Sequence, residues 1–572
     1  MPYRAPITDF EYIYNNVIDL AQVGETEKFS DIDSDTVSAI LTEAGRLAEE
    51  VLYPVNRNGD LTPAMLENGK VRSSPGFAEA FKAIGDGGWV STSSDPEYGG
   101  MGLPFSVTMA VSEMMSSGCL ALQLNPLLTM GHIEALEAHA SDEIKQTYLP
   151  KLNSGQWSGT MNLTEPQAGS DVGALATKAE RNDDGSYAIT GQKIFITWGD
   201  TDFCDNVCHL VLARLPDGGK GTKGISLFMV PRNIPDQNGE AGVANSLKVV
   251  SLEHKLGIHG SPTAVMQYDG ATGWLVGQEH DGMKCMFTMM NNARLSVGGQ
   301  GVGMAEAAYQ HALAYATERK QGRTPVENGT GTISEHADVR RMLVTMKAEI
   351  FAARAIALDC AVAIDMSHGT KSAEWKTRAA FLTPIAKSFG TDVGIRTADA
   401  GVQIHGGMGF IEETGAAQYA RDVRITSIYE GTNGIQSMDL VARKLMDGGE
   451  MANALIDEIE SFAEEARATR PRMAESVWQA SETLREATEW MVGQGDLNER
   501  FAGSVPYLNG FARILGAHYH LKAACAEGEN GPRTKLARFY INRLLPEHTG
   551  LLAHAMQGAE DLYAMNLDDL SK

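Results

Sequence analysis

The chain has 572 residues, 43% of them hydrophobic and 21% charged, a composition ordinary for a globular protein and a length too great for one small core. A formal net charge of −25 and the lack of any long Lys/Arg run argue against nucleic-acid binding, while leaving room for a local basic pocket that takes one phosphate-bearing ligand. The opening "MPYRAPITDFEYIYNN" has no basic start followed by an apolar run, no segment reads as a bilayer span, and the six scattered cysteines form no C-x-x-C pair, so the expectation is a reduced, cytoplasmic protein with no membrane span and no metal.

From about 30 to 155 the pattern is helical. "SDTVSAILTEAGRLAEEVLYPVN" carries apolar residues at helical spacing. "SDEIKQTYLPKLNSG" begins with an N-cap signal, Ser141, has Asp142 and Glu143 in its first turn, and is punctuated by Leu149-Pro150 and Gly155. His132 and His139 lie one heptad apart with no H-E-x-x-H motif and read as structural. From about 156 to 275 the texture changes to short β-branched and aromatic runs ("GSYAITGQKIFITWGD", "VCHLVLARL", "GISLFMVPR", "AVMQYDGA") broken by Gly, Asp, Asn and Pro, which predicts a small antiparallel β-domain. Helices return from about 281 to 445, where small residues such as Gly298, Gly299, Gly301 and Gly303 allow close helix or ligand approach. Beyond 446, "EMANALIDEIESFAEEARA" and "SVWQASETLREATEWMVGQ" are amphipathic. The expected division is 1–155, 156–280, 281–445 and 446–572.

Four stretches carry candidate chemistry. In "MNLTEPQAGSDVG" Thr164, Glu165 and the turn at Gly169-Ser170-Asp171 gather hydroxyls and backbone N–H groups before a strand; this is either a cradle for an anionic or heteroaromatic ligand or an ordinary polar turn. In "KIFITWG" alternation places Phe195 and Thr197 on one face and Ile194 and Ile196 on the other, suiting a flat ring or simply a strand. "GVQIHGGMGF" offers Gly406, Gly407 and Gly409 for close backbone approach but lacks the G-x-G-x-x-G spacing of a dinucleotide fold, and no G-x-S-x-G elbow marks a hydrolase. In "RITSIYEGTNGIQ" Glu430 stands between Ile425, Ile428 and Tyr429 and the loop Gly431-Thr432-Asn433-Gly434, as a solvated helix-end carboxylate or as a desolvated general base.

Taken together and in this order, "LTEPQAGSD", "GQKIFIT", "AYATERKQ", "QIHGGMGF" and "IYEGTNGIQ" resemble the acyl-CoA dehydrogenase family over roughly 80–445. The resemblance implies an α+β, mainly α fold: an N-terminal helical domain, a central antiparallel β-domain and a C-terminal four-helix bundle, with 446–572 as an extra helical domain. It implies FAD between the β-domain and the second helical domain. Thr164, Ser170, Phe195, Thr197, Thr432 and Gly434 would contact the flavin side, while Arg319, Gln403, Gly406 and Gly407 would hold the pyrophosphate and adenosine across a subunit boundary, hence a homodimer or larger assembly. Glu430 matches the family's base, and the alternative base position is occupied by Ala293. Ser170, Asn291, Arg294 and the Gly431 backbone match acyl-CoA contacts. Two departures stand out: "RKQGR" shortens the usual aromatic-containing run after Arg319, and Glu335-His336-Ala337 lacks a glutamine often found there.

The implied reaction is α,β-dehydrogenation of an acyl-CoA thioester. Glu430 takes the α-proton and the β-hydrogen leaves as hydride to flavin N5, with the thioester oxygen held by the base's own N–H and a ribityl hydroxyl. Reoxidation would go through an electron-transfer flavoprotein. The opening residues and the long C-terminal extension narrow the likeness to a branch acting on 3-(methylthio)propanoyl-CoA; the competing expectation is a short- or medium-chain fatty acyl-CoA.

Overall fold

The computed structural model describes residues 3–572, the side chain of Asn291 excepted. The chain divides into two compact units: Met1–Thr42, Pro104–Glu113 and Arg294–Lys572 in one, Glu43–Leu103 and Met114–Ala293 in the other. Ser34–Leu47 is helical as its periodicity predicts, and Asp142–Asn153 is capped by Ser141, whose Oγ accepts the Ile144 N–H. That helix runs past Leu149-Pro150 because a proline removes only its own donor; the Pro150 carbonyl still accepts the Ser154 N–H. The helix Phe105–His139 bends at Cys119 (φ −158°, ψ 95°). Contrary to the expectation of no span-like segment, it is long and apolar enough to cross a membrane, yet 94% of its most apolar window is buried within the protein, as in a core helix.

In the second unit a seven-stranded sheet is built from β1 (Trp157–Asn162), β2 (Lys178–Arg181), β3 (Tyr187–Thr197), β4 (Asn206–Arg214), β5 (Ile225–Pro231), β6 (Leu247–Leu252) and β7 (Thr263–Val276), in the order β6-β7-β3-β2-β4-β1, with β5 bridging β7 and β4. Its pairs are antiparallel except where β1 runs parallel to β4 from Trp157↔Asn206 to Asn162↔Val211 and a single parallel bridge, Lys178↔Arg214, joins β2 to β4. The alternation expected of a half-solvated sheet is lost in β4 and β5, which are buried along nearly their whole length. Ile189, Ile196, Val211, Phe228, Val230, Met266 and Tyr268 fill the interior.

The first unit is a bundle of long helices. Gly282–Glu318 meets Ala373–His405 along a glycine seam: a Cβ on Gly298 would lie 2.7 Å from the Ala386 carbonyl oxygen, and one on Gly301 2.4 Å from that of Gly390. Only glycine permits this backbone approach. Ala337–Thr370 packs along Ala373–His405, and Glu450–Ala466, Pro471–Gly493, Ser504–Cys525 and Pro532–Arg543 cover the bundle. A buried ionic cluster ties distant segments together: Arg354 pairs with Glu113 (2.6 Å), Glu306 (2.9 Å) and Asp9 (3.4 Å), and Lys347 and Arg533 also reach Asp9.

Candidate active site

Glu430 sits in a sharp loop between the turn at Arg424–Ser427 and the short helix Asn433–Asp439. Two consecutive residues there are left-handed, Glu430 at φ +54° and Gly431 at φ +83°. For a glutamate this is a strained backbone, and such strain persists only where the surroundings enforce it. Gln436 supplies part of that enforcement: its buried amide donates to the carbonyls of Glu430 (3.2 Å) and Gly431 (3.4 Å). Thr432 caps the following helix by accepting the Ile435 N–H (3.2 Å), and the Tyr429 hydroxyl donates to Gln300 Oε1. Among the described residues no acceptor takes the Glu430 N–H, which leaves it available to a ligand.

Desolvation lifts the Glu430 carboxyl to about 7, against the opposing pull of Arg294 and Lys387. Arg294, on Gly282–Glu318, has its Nε buried with no hydrogen-bond partner among the described residues. Lys387, on Ala373–His405, is fully buried and pushed down to about 8, again chiefly by desolvation, with Glu430 raising it. The glycine seam is what allows cations from both helices to flank one carboxylate. The family resemblance implies a substrate contact for Arg294 and no role for Lys387, because nothing local in "FLTPIAKSFG" separates a buried lysine from a solvated one.

At the other end of the same helices, His405 stacks on Tyr315 with ring centroids 4.4 Å apart. This brings Arg319, just beyond Gly282–Glu318, to the end that carries Gln403, Gly406 and Gly407, all of them exposed. The shortened run after Arg319 folds around Glu335, whose carboxylate takes Thr324 Oγ1 (2.8 Å), the Thr330 N–H (2.6 Å) and the Gly331 N–H (3.1 Å). Its glutamate therefore organises that loop. The side chain of Asn291 lies outside the described residues.

In the β-domain the alternation expected of "KIFITWG" is broken. Pairing with β7 runs Ala264↔Ile196 and then Met266↔Lys193, so β3 carries one extra residue, and Phe195 takes φ +59° within that bulge. The consequence is a change of face: Lys193 and Ile196 point inward, while Phe195 is turned out and 59% exposed. Lys193 Nζ donates to Glu165 Oε1 (2.8 Å) and to the Leu163 carbonyl (3.0 Å). Glu165 also accepts the Ala176 (2.7 Å) and Thr177 (3.1 Å) N–H groups. Burial alone would raise the Glu165 carboxyl, but Lys193 and these hydrogen bonds hold it at about 2; Lys193, desolvated in turn, falls to about 8. This ion pair fixes the loop of Thr164 and Ser170 to the strand of Phe195 and Thr197. The hydroxyls of Thr164 and Thr197 have no partner among the described residues. An outward aromatic with unused hydroxyls beside it fits a flat, hydrogen-bonding ring such as a flavin.

Acyl-CoA dehydrogenase N-terminal, middle and C-terminal domains match residues 34–156, 160–271 and 280–446, and an acetyl-CoA dehydrogenase C-terminal-like domain matches 455–566. The chain is 45% identical over 542 residues, 92% of each chain, to the 3-methylmercaptopropionyl-CoA dehydrogenase of Ruegeria pomeroyi. It is 32% identical to a butyryl-CoA dehydrogenase of Syntrophomonas wolfei, covering 98% of this chain and 97% of the other. Caenorhabditis elegans ACDH-11, solved in complex with C11-CoA, shares the fold at a TM-score of 0.77 and 20% identity, over 93% of this chain and 91% of that one. The chain therefore belongs to the acyl-CoA dehydrogenase family of flavin-dependent oxidoreductases.

Proposed function

We propose that this acyl-CoA dehydrogenase uses FAD to convert 3-(methylthio)propanoyl-CoA into 3-(methylthio)acryloyl-CoA, a step in dimethylsulfoniopropionate breakdown, with Glu430 as the general base. The observation that carries the base assignment is a desolvated carboxylate on a left-handed loop, poised at about 7 between two cations. The substrate reading is supported by the 45% identity, over nearly the whole chain, to a protein of that specificity. The relatives named for butyryl-CoA support the second reading, a short- or medium-chain fatty acyl-CoA.

Bound FAD supplies the acceptor for the hydride that leaves the β-carbon. Glu430 receives the α-proton at its carboxylate, and its free N–H, with Gly431 beside it, is positioned to donate to the thioester oxygen as negative charge develops there. On this reading Phe195, Thr164, Thr197, Ser170, Thr432 and Gly434 contact the flavin side of the cofactor. Arg319, Gln403, Gly406 and Gly407 hold its adenosine diphosphate part across the boundary of a homodimer, and Ser170, Asn291, Arg294 and Gly431 contact the acyl-CoA. Electrons leave to an electron-transfer flavoprotein.

The test is anaerobic stopped-flow spectroscopy of the purified flavoprotein. Wild type bleaches its flavin bands with 3-(methylthio)propanoyl-CoA faster than with butanoyl- or octanoyl-CoA, and Glu430→Gln slows the bleaching by roughly 10²–10⁴-fold. Faster bleaching with butanoyl-CoA selects the second reading. Unchanged bleaching in Glu430→Gln removes the base assignment.

A further inference from the structure

Lys387 is a buried ammonium with one hydrogen bond among the described residues. Its Nζ donates to Asn433 Oδ1 (2.9 Å), and no carboxylate among the described residues lies within ion-pairing distance of it. A charge so placed is costly, and protein interiors retain one only where a nearby charge or a function compensates. Asn433 stands three residues after Glu430 and clips the loop to the helix Ala373–His405. Its Nδ2 donates to Asp392 Oδ1 (2.8 Å), Thr391 Oγ1 (3.0 Å) and the Ser388 carbonyl (3.4 Å). One lysine thus reaches both the loop's anchor and the field at its carboxylate.

We propose that Lys387 is the positioning residue of the base: through Asn433 it fixes the Glu430 loop, and through its buried charge it keeps Glu430 ionised and ready to accept the α-proton at neutral pH. The proposal rests on the reading of Glu430 as base. The charged groups acting at this point come from every element around the loop. Arg294 comes from Gly282–Glu318, and Lys387 and Asp392 from Ala373–His405; Asp439 and Arg443 act on Arg294, and Arg396 and Arg424 on Asp392. Tyr429, directly before the base, stays neutral because burial raises its phenol. Arg294 and Lys387 are the two cations that oppose protonation of Glu430. Lys387 alone also holds the loop.

The pH profile of flavin bleaching separates these roles. Losing a nearby opposite charge raises a carboxylate's proton affinity, so Lys387→Met and Lys387→Gln move the profile alkaline by about one unit. Bleaching at pH 7 falls roughly fivefold, recovers near pH 9, and the acyl-CoA concentration dependence is unchanged. Lys387→Gln keeps a donor to Asn433 and decides the matter if Lys387→Met yields no holoenzyme. Lys387→Arg keeps the charge and the wild-type profile. Asn433→Ala loosens the loop and lowers the rate at every pH without moving the profile. Deuterium wash-in at the α-carbon of a bound acyl-CoA follows the same shifts with no redox step. An unmoved profile in both Lys387→Met and Lys387→Gln overturns the role of Lys387 while leaving Glu430 in place. Normal wash-in and bleaching in Glu430→Gln overturn the base, and this proposal with it.

Discussion

Glu430 and Gly431 show how a loop of two residues sets both geometry and proton affinity. A side chain on Gly431 would have to adopt φ +83° and would place its Cβ 2.6 Å from the buried Gln436 amide. Gly431→Ala therefore destabilises the loop by about 1–3 kcal/mol and turns the Glu430 carboxylate, read as a lower bleaching rate with a reduced thermal midpoint. The raised pKa of Glu430 also makes stability pH-dependent. Between the ordinary value of 4.5 and about 7 the folded chain holds a proton that the unfolded chain releases. The stabilising contribution is complete below 4.5 and is lost as pH rises through 7, where the fold must bury the charge. Glu430→Gln removes this dependence, so calorimetry shows its midpoint rising relative to wild type between pH 5 and pH 8.

At the scale of a strand, the bulge in β3 decides what the alternation could not. One inserted residue moves Lys193 into the interior, where Glu165 compensates its charge, and sends Phe195 outward. Lys193→Met leaves a carboxylate buried without its cation, at a cost of about 3–5 kcal/mol. The loop of Thr164 and Ser170 then loses its tether, and the expected result is a protein that purifies with depleted flavin and rebinds added FAD weakly, as measured by flavin fluorescence. The double substitution Glu165→Gln with Lys193→Met recovers much of the thermal midpoint, since it removes both charges together. A midpoint as low as that of the single substitution would show that the pair acts through packing instead.

Across the whole chain, the cluster around Arg354 joins segments far apart in sequence: Asp9 near the start, Glu113, Glu306 on Gly282–Glu318, and Arg533 in the C-terminal region. Arg513, buried, pairs with Glu349, and Arg378 pairs with the partly exposed Glu458, so the residues after 446 are bound to the bundle by ion pairs as well as by apolar contact. Arg354→Met strands Glu113 and Glu306 and lowers stability by about 3–5 kcal/mol, seen as a fall in the denaturation midpoint in urea. Truncation after residue 446 exposes Phe381, which packs on Phe511 at 5.3 Å, and leaves Glu349 without Arg513, so the shortened chain is expected to aggregate.

The sequence by itself determined the order of helical and β segments, because hydrophobic periodicity and turn residues act over a few positions. It also marked Glu430, since an acidic residue between an apolar run and a glycine loop is a local pattern, and the ordered motifs carried the family. Only the tertiary structure decided which charges share a site. Lys387 meets Asn433 across 46 residues of chain, and nothing in "TPIAKSFG" distinguishes a lysine in water from one buried beside Glu430. The same holds for Lys193, whose face depends on pairing register with β7, and for Arg354, whose three carboxylate partners come from three separate segments. Local patterns are written in consecutive residues; electrostatic poise arises from distances that exist only once the chain has folded.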